Sequence, residues 1–187
     1  MDSIEEMLLE CEDKMAKSTA FLLEQFSGIR TGKASPALVE NIEVPYYGTP
    51  TRLREMAGIS TPEPRLIVIN AYDPSVLPEI EKAILAANLG VTPMNDGRVI
   101  RVPIPELSEE RRLEMTKLAK RLAEEGRVAI RNIRRETNEH IKSMQKKGDI
   151  TEDDRDEALK DIQKSTDEYI KQVDNAMKSK ETEIMEV

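Results

Sequence analysis

The feature that most constrains this chain is an interruption in its helical pattern. Apolar residues at Ile4, Met7, Leu8, Cys11, Met15, Leu22, Phe26 and Ile29 recur in steps of three and four, the stripe of one amphipathic helix. Only Ser18 and Thr19 stand where the stripe needs an apolar residue. Gly28 and Gly32 loosen the helix end near Arg30, and Pro36 stops it. Strand-and-turn sequence then runs from residue 32 to residue 103, and helical periodicity returns only beyond Pro103 and Pro105.

The second stripe passes through Met115, Leu118, Ala119, Leu122, Gly126, Ala129, Ile130, Ile133, Thr137, Ile141 and Met144. Ser108 is placed to cap it, and Glu109 and Glu110 complement the dipole of its first turn. Lys146, Lys147 and Gly148 supply closing cations and a C′ glycine. A helix of about forty residues is about 60 Å long. Thr151 caps a third helix with its stripe at Leu159, Ile162, Thr166, Tyr169, Ile170, Val173, Met177 and Ile184. The short Gly148-Asp149 turn makes the second and third helices antiparallel neighbours, and the first must fill their groove. The expectation is a long antiparallel three-helix bundle made of residues 1–31 and 104–187.

Within the insert, Ile42 to Tyr47 reads as a strand, and Gly48-Thr49-Pro50 turns the chain into a short helix near Thr51 to Ala57. Leu66-Ile67-Val68-Ile69 is an apolar run between turn signals, the pattern of a buried strand. Asp73-Pro74 opens a helix carrying Ile80, Ala83, Ile84 and Ala87 that Gly90 ends. Asn95-Asp96-Gly97 is a hairpin signal before the strand Val99 to Val102. Residues 32–103 are thus expected to form an inserted small α/β domain, and the class is α+β with two domains. Both connections cross near residues 30–33 and 103–106, so Thr31, Gly32, Pro103 and Pro105 are the candidate hinge.

Charged residues are 34% of the chain and aromatics only 3%, which suits slender helices with much solvated surface. The net charge of -8 argues against a general nucleic-acid coat but leaves room for a local basic patch. Such a patch is present. Arg127, Arg131, Arg134 and Arg135 fall on one helical face with no acid between them, away from the apolar stripe, and are expected to project outward. Like charges at this spacing repel, and the planar guanidinium suits phosphate. The same row also reads as a solvated face neutralised from the third helix by Asp161 or Glu168. The residues alone leave both open.

Other candidates dissolve on inspection. Gly28 to Ser35 imitates a phosphate loop, but three residues separate its glycines, Ala34 follows Lys33, and it ends a helix instead of starting one. His140 has no ligand partners at metal spacing, and Cys11 lies on the apolar stripe as a buried thiol unable to form an internal disulfide. Asp153, Asp154, Asp156 and Glu157 sit at a helix start, where the dipole explains them. Tyr46 and Tyr47 read as strand packing and turn residues. No nucleophile has a base partner. The expectation is a protein that is not an enzyme, needs no cofactor or metal, and works in the cytoplasm, since neither a leader nor a membrane span is seen.

Five segments together resemble the bacterial ribosome recycling factor family. They are Ile29 to Pro36, Tyr46 to Pro50, Arg101-Val102-Pro103, Glu109 to Arg112, and Arg131-Asn132-Ile133-Arg134-Arg135. They span the chain in order, with Lys33 where the family commonly has Arg. The resemblance implies an L-shaped molecule with a three-helix bundle and an inserted α/β sandwich. It also implies binding to the large ribosomal subunit after termination, through ribosomal RNA held by Arg131, Arg134 and Arg135, with Arg30 and Lys33 as further contacts. Elongation factor G would push the inserted domain and, with GTP hydrolysis, split the ribosome. The implied partners are the large subunit and elongation factor G, with no DNA and no membrane, and the protein is a monomer. The competing reading is an oligomeric coiled-coil scaffold with the insert as cargo binder.

Overall fold

The computed structural model describes residues 3–186 and divides them into two compact units. One holds the chain up to Ile29 and from Glu114 on, and the other runs from Arg30 to Leu113.

The first unit is the three-helix bundle, made of α1 (Ile4–Ser27), α4 (Glu109–Lys147) and α5 (Glu152–Met185), although the first turn of α4 counts with the other unit. The capping residues behave as their chemistry requires. Ser3 forms a capping box with Glu6, and Ser108 Oγ accepts from the Arg111 N–H at 3.3 Å. Thr151 forms a second box with Asp154, whose carboxyl is lowered by the Thr151 hydroxyl and N–H. Gly148 at φ +81° ends α4, and the Asp149 N–H donates to the Met144 carbonyl at 3.0 Å. Met15, Leu22, Ile130, Ile141, Ile162, Val173 and Ile184 are fully shielded in one core.

Thr19, the weak point of the first stripe, is 3% exposed and hides its polarity by donating to the Met15 carbonyl at 3.0 Å. Thr166 does the same to Ile162 on α5. Gly126 sits mid-helix despite a helix-propensity cost of about 1 kcal/mol relative to Ala. A β-carbon there would lie 2.9 Å from Leu22 Cδ2, so glycine lets α4 approach the buried leucine.

The second unit contains β1 (Glu43–Tyr46), β2 (Thr49–Arg52), α2 (Leu53–Met56), β3 (Ala57–Glu63), β4 (Leu66–Ala71), α3 (Leu77–Ala86), β5 (Met94–Asn95) and β6 (Ile100–Pro103). β1 and β2 form a hairpin, and the other strands form an antiparallel sheet in the order β3-β4-β6-β5. Ile67, Ile69 and Ala71 on β4 and Ile100 and Val102 on β6 point alternately into a core shared with Leu77, Ile80 and Ile84 of α3. The apolar run at residues 66–69 is therefore buried on alternate residues only. β3 was not expected from the sequence. Gly58, Ser60, Thr61 and Pro62 spoil its pattern, and it exists because its backbone pairs with β4 from Ala57↔Ala71 to Glu63↔Leu66.

The second boundary lies later than residue 103. Pro103 pairs with Leu66 inside the sheet, the Ile104 N–H donates to Arg65 O at 2.8 Å, and Glu106 forms an ion pair with Arg65. The entering segment is held at the same turn, because the Ala34 N–H donates to Pro64 O at 2.7 Å. Thr31 is buried and Gly32 has φ +78° beside Leu107. Thr31, Gly32, Pro103 and Pro105 thus all lie within the second unit, and Pro103 is part of its sheet.

Candidate nucleic-acid interface

The arginine row lies on α4, but its members differ in what they touch. Arg127 is not an outward cation. Its Nε and Nη2 each donate to Asp174 Oδ1 on α5 at 2.8 Å, and Nη1 meets Glu124 at 3.1 Å. Its side chain is 22% exposed. Burial opposes its charge, but the bonds to Asp174 and Glu124 outweigh that and hold its proton more tightly than usual. Arg127 is chiefly a tie between helices. Arg131 is half-exposed and donates to the other oxygen of Glu124 at 3.3 Å.

Arg134 also departs from expectation. It is half-buried, donating from Nη1 to Gln163 on α5 at 3.3 Å, while Gln163 in turn donates to Asp167 at 2.8 Å. Its Nε is shielded without a partner, as is Asn138 Oδ1 one turn further along the helix. Arg135 is exposed and has no ion pair among the described residues. The row is thus graded, from a structural arginine at its start to an open one at its end.

The acids that neutralise the row are Glu124 and Asp174, not Asp161 or Glu168. Glu124 was legible, since it precedes Arg127 by three residues. Asp174, Gln163 and Asp167 were not, because their role depends on the register between α4 and α5. In the second unit, Arg30 is exposed and donates to the Asn88 carbonyl at 3.3 Å. That carbonyl lies just past the C-terminus of α3, which has no basic residue in its last turn. Gly90, at φ +70°, leaves room for this guanidinium, since a β-carbon there would sit 3.0 Å from Arg30 Nη1. Lys33 is exposed nearby in sequence.

The remaining candidates have local explanations. Gly28 ends α1, and Ser35 caps a 3₁₀ turn at Pro36–Leu38, so residues 28–35 build no phosphate loop. His140 is exposed, and the Cys11 thiol is buried and pushed up by that burial. Among the described residues, no group of three His, Cys, Asp or Glu is placed to hold a metal, and no helix is long and apolar enough to cross a membrane.

Residues 22–185 match the family model described as "Ribosome recycling factor". The chain belongs to the ribosome recycling factor family. The ribosome-recycling factor of Alkaliphilus metalliredigens is 52% identical over 176 residues, covering 94% of this chain and 95% of that protein. A solution structure of the ribosome recycling factor, 41% identical, covers 100% of both chains at a TM-score of 0.82. A second solved structure provides models for the T. thermophilus ribosome recycling factor and the E. coli elongation factor G bound to the E. coli post-termination complex. Its matching chain is 40% identical at a TM-score of 0.71, with 98% of this chain and 100% of that one covered. Ribosome recycling factors are translation factors and not enzymes.

Proposed function

We propose that this chain recycles ribosomes after termination by seating its bundle on large-subunit ribosomal RNA and, with elongation factor G and GTP, splitting the post-termination complex. The observation that carries this reading is the near full-length likeness to the recycling factor placed with elongation factor G on that complex. The geometry supports a division of labour. Arg135 offers a free guanidinium, Arg131 and Arg134 are held by single side-chain partners at 3.3 Å that a phosphate can displace, and Arg127 stays with Asp174. Arg30 and Lys33 are secondary RNA contacts. The acidic remainder of the chain discourages stray binding to RNA, and neither DNA nor a membrane is a partner.

In this reading the protein is a cytoplasmic monomer without a cofactor. The bundle resists bending while the inserted domain is pushed by elongation factor G. Co-sedimentation with purified large subunits across a salt series tests the anchor. Wild type should bind with steep salt dependence, and Arg131→Ala/Arg134→Ala/Arg135→Ala should lower the slope by about two to three units. Wild type that does not bind large subunits defeats the reading. An oligomer in analytical ultracentrifugation would favour the coiled-coil scaffold instead.

A further inference from the structure

The β1–β2 turn carries a residue that its own backbone disfavours. Tyr46 pairs with Thr49, so Tyr47 and Gly48 form a two-residue loop, with φ +48° and +81°. Positive φ at both central positions is type I′ geometry, which favours Asn, Asp or Gly at the first. In the left-handed region a β-carbon crowds the following carbonyl, and a bulky side chain there is an outlier. Packing does not explain the choice. Tyr47 is 82% exposed. Its ring meets the Tyr46 ring edge-on at a centroid distance of 4.6 Å, and its hydroxyl reaches Asp73 Oδ2 only at 3.5 Å.

The surroundings repeat the theme. Tyr72, next to Asp73 in the chain, is 74% exposed. Tyr47 reaches Asp73 through its hydroxyl, Tyr46 meets Tyr47 edge-on, and Tyr72 adjoins Asp73 in the chain, in a protein with no Trp. The Ser75 hydroxyl and N–H both donate to Asp73 Oδ1, at 2.7 and 3.0 Å, and hold its carboxyl below the usual range. The hairpin's one cation, Arg52, is at the far end of the ladder opposite Glu43.

We propose that Tyr47, Tyr72 and Asp73 form a docking surface for a cationic protein segment, whose Arg or Lys side chains lie against the tyrosine rings and pair with the carboxylate. Aromatic faces are negative and attract such cations. The anion that Ser75 fixes at Asp73 repels a phosphate backbone, so the surface suits a basic protein better than nucleic acid. A strained residue that stays 82% exposed is the kind that function retains.

The test separates strain from contact. The inference rests on the proposed function for its assay, the splitting of purified post-termination ribosomes by limiting factor with elongation factor G and GTP. Tyr47→Asn relieves the turn and should raise the melting midpoint of the whole chain by roughly 2–4 °C. The same variant should split ribosomes roughly three- to thirtyfold less well. Tyr47→Phe, which keeps the ring, should recover most of that loss. With p-benzoylphenylalanine at position 47, irradiation of the same mixture should yield a nuclease-resistant adduct to a protein. A Tyr47→Asn chain that splits ribosomes as wild type does, or that melts lower, overturns the docking surface, as does an adduct to RNA alone. A wild-type chain that splits none overturns the functional reading as well.

Discussion

The two units use polar side chains for different ends. In the bundle, the non-local polar contacts run sideways between helices: Arg127 to Asp174, Lys120 to Glu181, Arg134 to Gln163 and Arg155 to Gln145. In the small unit local polar contacts close turns, beside the longer-range pairs Arg65 to Glu106 and Arg30 to Asn88. Asp73 binds Ser75, Asn95 accepts from the Gly97 N–H, and Asp96 accepts from the N–H groups of Arg98 and Val99 at 2.9 Å each while pairing with Arg101. A helix satisfies its own backbone and needs lateral ties, whereas a short-stranded sheet leaves much backbone in turns that side chains must close. What remains after these uses stands out: an exposed Arg135 with no ion pair among the described residues in one unit and a strained, exposed Tyr47 in the other.

The largest effects lie where the units are alike. Ile130→Ala in the bundle and Ile80→Ala in the small unit each empty a fully buried site and should cost about 2–5 kcal/mol. Amide exchange resolved by region would show whether each loss stays within its own unit. Equal loss of protection in both units would mean that they unfold as one.

Arg127→Ala comes next. It unpairs Asp174 and should lower stability to urea by about 1–2 kcal/mol, reduced from a fully buried case because the pair is partly solvated. Stability unchanged by this substitution would return Arg127 to the set of RNA contacts. Asp96 tests the turn side of the comparison through pH. Its carboxyl is lowered from 3.8 to about 2 by the Val99 and Arg98 N–H groups and by Arg101. A lowered folded value means stability that is present above pH 3.8 and lost as pH falls toward 2. Acid unfolding followed in the small unit should therefore steepen across that window in wild type, and Asp96→Asn should flatten it. A variant as acid-sensitive as wild type there would remove Asp96 from the account.

Arg135→Ala should have the smallest structural effect, within about 0.5 kcal/mol in thermal melts. Its effect belongs to binding, where the salt slope for large subunits should fall by about one unit. If Arg127→Ala and Arg135→Ala behave alike in both measurements, the grading of the row is wrong.

Much of the bundle was legible in the sequence, because helical periodicity and caps are local. Ser108, Gly148 and Thr151 act where their residue types said they would. The hairpin at Asn95 to Gly97 and the helix after Pro74 were readable on the same grounds. The candidate site was legible in part: the row and its helix were plain, while its grading was hidden. The sequence by itself therefore determined three amphipathic helices, an interrupting domain and a cluster of arginines. Tertiary structure alone decided that β3 is a strand, that Arg127 belongs to Asp174, that Arg134 is half-buried against Gln163, and that residues 104–113 stay with the small unit. Each of these depends on register between segments far apart in the chain, which short-range patterns of residue type do not encode.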